Sequence, residues 1–134
     1  MPPLTAERNT AMQDAEVISV PMSASKILAG GIVCANATGY ATKGATATTL
    51  TYLGRAEETV DNSAGNPGDK SIRVRRGRAF KWKNSGSDPV TQASLGKVCY
   101  IVDDETVSAT NAGGNTQSAA GIVVGVESDG VWVE

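Results

Sequence analysis

From Ala15 onward the apolar residues come in short alternating runs, each closed by Gly, Asn, Asp or Pro, and no stretch carries the three-to-four spacing of an amphipathic helix. This pattern predicts strands at 16–21, 31–36, 40–43, 49–55, 57–61, 71–75, 78–83, 97–103, 106–109, 121–127 and 131–134. Three pairs read as hairpins. GIVCANATGYATK turns at 36–39, KVCYIVDDETVSA at 103–105, and GIVVGVESDGVWVE at 128–130, where Asp-Gly offers a positive φ at little strain. Connections this short leave no room for the long crossovers of a parallel sheet, so the expected fold is all-β, a mainly antiparallel β-sandwich or barrel.

Residues 71–83 pose a problem for a continuous strand. Ile72, Val74, Phe80 and Trp82 would share one face with Arg76 and Arg78, and two arginines on an apolar face are costly unless paired. A bulge or corner at Gly77 resolves the conflict by breaking the ladder and turning the arginines outward. Arg73 and Arg75 then lie on one exposed face, Lys81 and Lys83 on another, and the region projects a basic edge. Such an edge protects a sheet against unwanted pairing, or it docks an acidic protein surface.

Residues 1–14, MPPLTAERNTAMQD, show neither alternation nor a helical stripe, and Pro2 and Pro3 oppose a regular start. They form an expected N-terminal arm, either frayed or ordered on a partner. Residues 15–134 form a single expected domain. At 134 residues the chain can bury roughly two-thirds of its unfolded surface, but with one Phe, two Trp and three Tyr the core must come from Val, Ile, Leu and Ala.

Charge is unevenly placed. Seven of the twelve Lys and Arg residues fall within 70–83, none lies beyond Lys97, and the net charge is -2. That sum argues against a dedicated nucleic-acid protein. No histidine is present, which removes the commonest general base and metal ligand together. No metal site or cofactor is expected.

Cys34 and Cys99 lie in apolar runs and read as small buried hydrophobes. The carboxylates Glu57–Glu58 and Asp103–Glu105 are sequence neighbours that cannot converge from one strand, so they read as turn solvation and not as a glycosidase pair. NAGGNT at 111–116 lacks the Lys and Ser or Thr of a phosphate loop and reads as a flexible loop. ATKGATATTLT reads as a loop feeding a strand. The chain is expected to be soluble, without a leader or a membrane span.

The opening PLTAERNT, the central GRAEETVDNSAG with SIRVRRG and FKWKNS, the unit DPVTQASLGKVCYIVDDETV and the closing SAAGIVVGVESDGVWV together resemble the head cement, or decoration, proteins of tailed bacteriophages. The similarity runs in order along nearly the whole chain and includes no catalytic signature. It implies a jelly-roll-like β-sandwich on the outer surface of the virion, made in the bacterial cytoplasm, that is not an enzyme. It further implies binding to the major capsid protein, bridging of neighbouring capsomers around the DNA-filled head, and a homodimer, with no direct contact to nucleic acid or membrane. The expected capsid-binding residues are Leu4, Thr5, Arg8, Asn9 and Thr10 on the arm, and Arg73, Arg75, Arg76 and Arg78 on the basic edge. The strand with Val131 and Trp132 is open to a role in self-contact but reads first as core. A tail or other virion component, a carboxylate-dependent glycan hydrolase and a nucleic-acid-binding β domain are the competing classes. The last would need the basic edge to continue into a groove with exposed aromatics; Trp82 and Tyr100, the aromatics near it in sequence, both fit core positions.

Overall fold

In a computed structural model, residues 3–111 and 113–134 are described. Twelve strands follow in order: β1 (Val17–Pro21), β2 (Lys26–Ile27), β3 (Ile32–Ala35), β4 (Ala41–Lys43), β5 (Thr51–Ala56), β6 (Val60–Asp61), β7 (Ser71–Arg75), β8 (Phe80–Asn84), β9 (Val98–Ile101), β10 (Thr106–Ser108), β11 (Ala119–Glu127) and β12 (Gly130–Val133). A single 3-10 turn, Gln92–Ser94, precedes β9. Residues 3–16 are exposed and precede the first strand. The all-β class anticipated from the spacing is the one observed.

The strands build two units. A five-stranded antiparallel sheet runs β1-β7-β5-β3-β4, and the strands β10-β8-β12-β11-β9 close into a small barrel. The barrel is closed by one parallel pairing, Thr106 opposite Lys83 and Val107 opposite Asn84. A short ribbon, β2-β6, stands beside the sheet. β2 was not apparent from the sequence, and the strand expected over 57–61 is confined to Val60–Asp61, with the Glu57 N–H still donating to the Arg73 carbonyl at 3.0 Å.

β3 explains how sheet and barrel become one body. Its alternation sends Ile32 and Cys34 into the barrel core with Cys99, Ile101, Val123, Val131 and Val133. Val33 points the other way, into a second core with Met22, Ile27, Ile72 and Val74. β5 repeats the division: Tyr52 packs against the first core and Leu53 against the second. A strand buried on both faces needs apolar residues at successive positions, which is why GIVCAN reads as a run and not an alternation.

The chain passes from sheet to barrel at Gly77, whose φ of +71° suits glycine. The corner foreseen there is present, and it sends Ile72 and Val74 into one core, Phe80 and Trp82 into the other. The 128–130 turn differs from expectation. Gly130 has no positive φ; a Cβ there would instead lie 2.6 Å from Lys81 Cγ and 2.9 Å from the Trp82 carbonyl oxygen, so close packing on β8 demands the glycine. Buried Asn62 ties two loops together, its side-chain amide donating to the carbonyls of Ser23 (3.1 Å) and Asn66 (3.0 Å).

Candidate functional site

Arg55 and Arg75 lie on the sheet face away from the second core. On β7 the alternation buries Ile72 and Val74 and turns Arg73 and Arg75 to the opposite face. Arg55 of β5 stands directly across from Arg75 in the ladder. Like charges in that position repel. Glu57, two residues beyond Arg55, resolves the repulsion, because one carboxylate oxygen accepts from Arg55 Nη2 at 2.7 Å and from Arg75 Nε at 3.2 Å.

These two hydrogen bonds, that from Arg55 foremost, hold the Glu57 carboxyl below its usual pKa despite some desolvation. Glu58 is lowered likewise, chiefly by the Arg73 backbone N–H and then by the Arg73 guanidinium at 3.2 Å. Both glutamates therefore serve the arginines, which corrects the expectation that they only solvate a turn.

At the corner, Arg78 reaches Glu16 at 3.5 Å, and the Arg76 N–H donates to the Glu16 carbonyl at 2.7 Å. On β8, Lys81 pairs with Asp129 at 2.8 Å, and Lys83 pairs with Glu105. Each pairing raises the lysine pKa through the carboxylate hydrogen bond. Among the described residues the Arg76 side chain makes no ion pair. The basic edge is thus a belt of intrachain pairs. Its members are mostly exposed, so each pair contributes little to stability.

The belt walls an open cleft of about 530 Å3 at the junction of sheet and barrel, lined by Arg55, Arg75, Arg78, Phe80, Lys81 and Trp132. A second cleft of about 320 Å3 adjoins it through Arg78 and Phe80 and adds Arg76, Gly77 and Tyr52. Arg55 lies 4.9 Å over the Phe80 ring and Lys81 5.8 Å from the Trp132 ring centre, so two of the four cations rest on aromatic faces. Trp132 is not core, contrary to the first reading of the last strand. It sits half-buried on the outer barrel face, its indole N–H donating to Glu127 Oε1 at 2.8 Å, while Val131 and Val133 beside it fill the interior.

The structure brings Arg75 and Arg78 into this cleft, places Arg76 in the adjoining one, and leaves Arg73 outside with Glu58. Leu4, Thr5, Arg8, Asn9 and Thr10 are all exposed, and among the described residues none bonds to the domain. Glu16, two residues past the arm, joins the belt through Arg76 and Arg78. Arg55, Glu57, Lys81 and Trp132 were not singled out as site residues from the sequence. A signal existed in Arg55 and Glu57, opposite charges at i and i+2 on one face of a strand.

Cys34 and Cys99 are fully buried free thiols in the barrel core. Asp103 stays in its turn, accepting from the Glu105 N–H at 2.9 Å, while the Glu105 carboxylate pairs with Lys83 of β8. Among the described residues no three Cys, Asp or Glu side chains are grouped to hold a metal ion, and no helix is long and apolar enough to cross a membrane. The cleft's lining is cationic and aromatic, and its guanidiniums already pair with the chain's own carboxylates. No family model, curated protein or solved structure matches the chain.

Proposed function

We propose that the chain is a structural virion protein that docks on the outer surface of a tailed-phage major capsid lattice and bridges neighbouring capsomers. The resemblance of its ordered sequence blocks to head decoration proteins supports this reading. The observation that carries it furthest is the pairing of an arginine-lined open cleft with an exposed arm rooted at the cleft's edge. The cleft suits acidic side chains of a protein surface, which replace Glu16, Glu57 or Asp129 at guanidinium and ammonium groups already partly desolvated. Such an exchange of one ion pair for another gains little per contact and weakens with salt. The arm, with Leu4 and Met12 exposed, supplies a second point of attachment that gains its free energy on ordering. Two weak attachments to adjacent capsid subunits combine through high effective concentration, so both must release before the subunits separate.

One observation favours a second reading. Phe80 and Trp132 line the cleft with the arginines, the aromatic-basic combination that single-stranded nucleic acids also use. The net charge of -2 weighs against it. Co-sedimentation of the purified protein with undecorated capsids, beside free DNA and a protein-only control at moderate salt, separates the two. Saturable binding to capsids alone is the expected result, and binding to DNA alone or to neither overturns the capsid reading.

A further inference from the structure

The charged strand that the sequence offered as a protective edge lies inside the sheet. β7 is second in the order β1-β7-β5-β3-β4, so the sheet's edges are β1 and β4. β4 is short and ends in Lys43, and at Ala41 it is covered by Ser23, whose N–H and Oγ donate to the Ala41 carbonyl at 3.0 and 3.1 Å. Shortness, a lysine and a covering segment are ordinary safeguards of a sheet edge. β1, Val-Ile-Ser-Val-Pro, carries no charge, and no strand lies along its outer side. Pro21 at its end is the one safeguard it has.

The register shows which groups this edge offers. The Arg76 N–H donates to the Glu16 carbonyl at 2.7 Å and the Met22 N–H to the Lys70 carbonyl at 2.8 Å. Alternation along the antiparallel ladder therefore turns the main-chain groups of Ile18 and Val20 toward β7 and those of Val17 and Ser19 outward. Among the described residues no main-chain hydrogen bond from outside the β1–β7 ladder meets Val17 or Ser19. Free N–H and C=O groups in ladder spacing fit an extended peptide.

The two faces of the edge specify that peptide's side chains. Ile18 and Val20 pack on the second core yet are only half-buried, so an added strand covers them with apolar residues. On the other face Val17 stands opposite Arg75 and Ser19 opposite Arg73. Three guanidiniums there, Arg55, Arg73 and Arg75, share two carboxylates, Glu57 and Glu58, and the Arg73 side chain stays 63% exposed. Ser19 is small, so a glutamate on an added strand reaches Arg73 across it, over two strand spacings of about 4.8 Å each. Two copies of this chain joined antiparallel along β1 would instead set arginine face beside arginine face.

We infer that β1 is a docking edge for an extended segment of another protein that alternates apolar and acidic residues and adds to the sheet beside Val17 and Ser19. The inference does not rest on capsid docking, since it concerns the chemistry of the segment and not its source.

Titration of the full chain with a short peptide of alternating valine and glutamate, followed by NMR and amide hydrogen exchange, tests it. A dissociation constant at or below about 100 μM is expected, and exchange of the Val17 and Ser19 amides should slow at least about tenfold on binding. The same peptide with lysine in place of glutamate is expected to bind at least about tenfold more weakly. Ser19→Pro removes an outward N–H and no bond to β7, and should weaken binding at least about tenfold at unchanged circular dichroism. Ser19→Glu, which sets a carboxylate between Arg73 and the incoming acidic side chain, should weaken it likewise and decides the matter if Ser19→Pro does not fold. Absence of binding at about 1 mM peptide overturns the inference. So does equal binding of the lysine peptide, or binding that leaves the Val17 and Ser19 amides unprotected. Self-association that Ser19→Pro abolishes overturns it too, by assigning the edge to a second copy.

Discussion

Gly54 and Arg75 approach so closely across β5 and β7 that a Cβ on Gly54 would lie 2.1 Å from the Arg75 carbonyl oxygen. Gly54 also has φ +151°, at a register shift in β5 where Val33 faces Gly54 but Cys34 faces Tyr52. The irregularity lets the strand serve both cores and still set Arg55 opposite Arg75.

Gly54→Ala is therefore expected to destabilise the protein by about 3 kcal/mol, through both clash and strained backbone. Its unfolding midpoint should fall by about 10 °C. Gly86, which has no positive φ and no atom within 4 Å of an added Cβ, serves as the control. Gly86→Ala should change stability by less than about 0.5 kcal/mol. Thermal unfolding followed by circular dichroism reads both.

The arginine belt makes a pH-dependent contribution of definite sign. Glu57 has a folded pKa below its usual 4.5, so its stabilising effect is present above about that pH and is lost as pH falls through the lower folded value. Glu57→Gln should lower the unfolding midpoint at neutral pH and show a smaller further loss on acidification to about pH 3 than the parent protein does. Equal acid limbs in the two proteins would show that the Arg55–Glu57–Arg75 arrangement does not contribute in solution.

The two cysteines should be chemically silent in the native state. Burial pushes the Cys34 thiol up to about 12 and raises that of Cys99 as well, so neither supplies appreciable thiolate at pH 8. A disulfide-exchange reagent is expected to leave both unmodified in native protein and to label both once denaturant is added. Rapid labelling of either thiol without denaturant would contradict the packing of the barrel core.

Removal of residues 1–12 should leave the unfolding midpoint within about 1 °C of the full chain, because residues 3–12 are exposed. Loading onto undecorated capsids should fall by at least about tenfold if the arm is one of two linked attachments. Unchanged loading would remove the arm from the docking surface and leave the cleft as its centre.

Much of the fold was legible in the chain. Asn36–Gly39 and Asp103–Glu105 mark turns by their own backbone chemistry, and the hairpins they predict are formed. Gly77 could be inferred because two arginines on an apolar face demand a corner. The cleft residues were harder. Arg75, Arg76 and Arg78 were found as a cluster, but Arg55 lies on another strand and Lys81 beyond the corner, so only strand pairing reveals that Arg55, Arg75, Arg78 and Lys81 share a cleft, with Arg76 in the adjoining one.

The sequence by itself determined the β class, most strand positions and the turns between them, since a two-residue period and the dihedral preferences of Gly, Asn and Asp act over a few neighbouring residues. The tertiary structure alone decided that β3 faces two cores, that β8 and β10 close the barrel, that Glu57 lies between Arg55 and Arg75, and that Trp132 stays half-buried outside the barrel. These depend on which strands lie side by side. That choice is made by burial and hydrogen bonding across the whole chain, through contacts among residues far apart in sequence, and no local pattern records it.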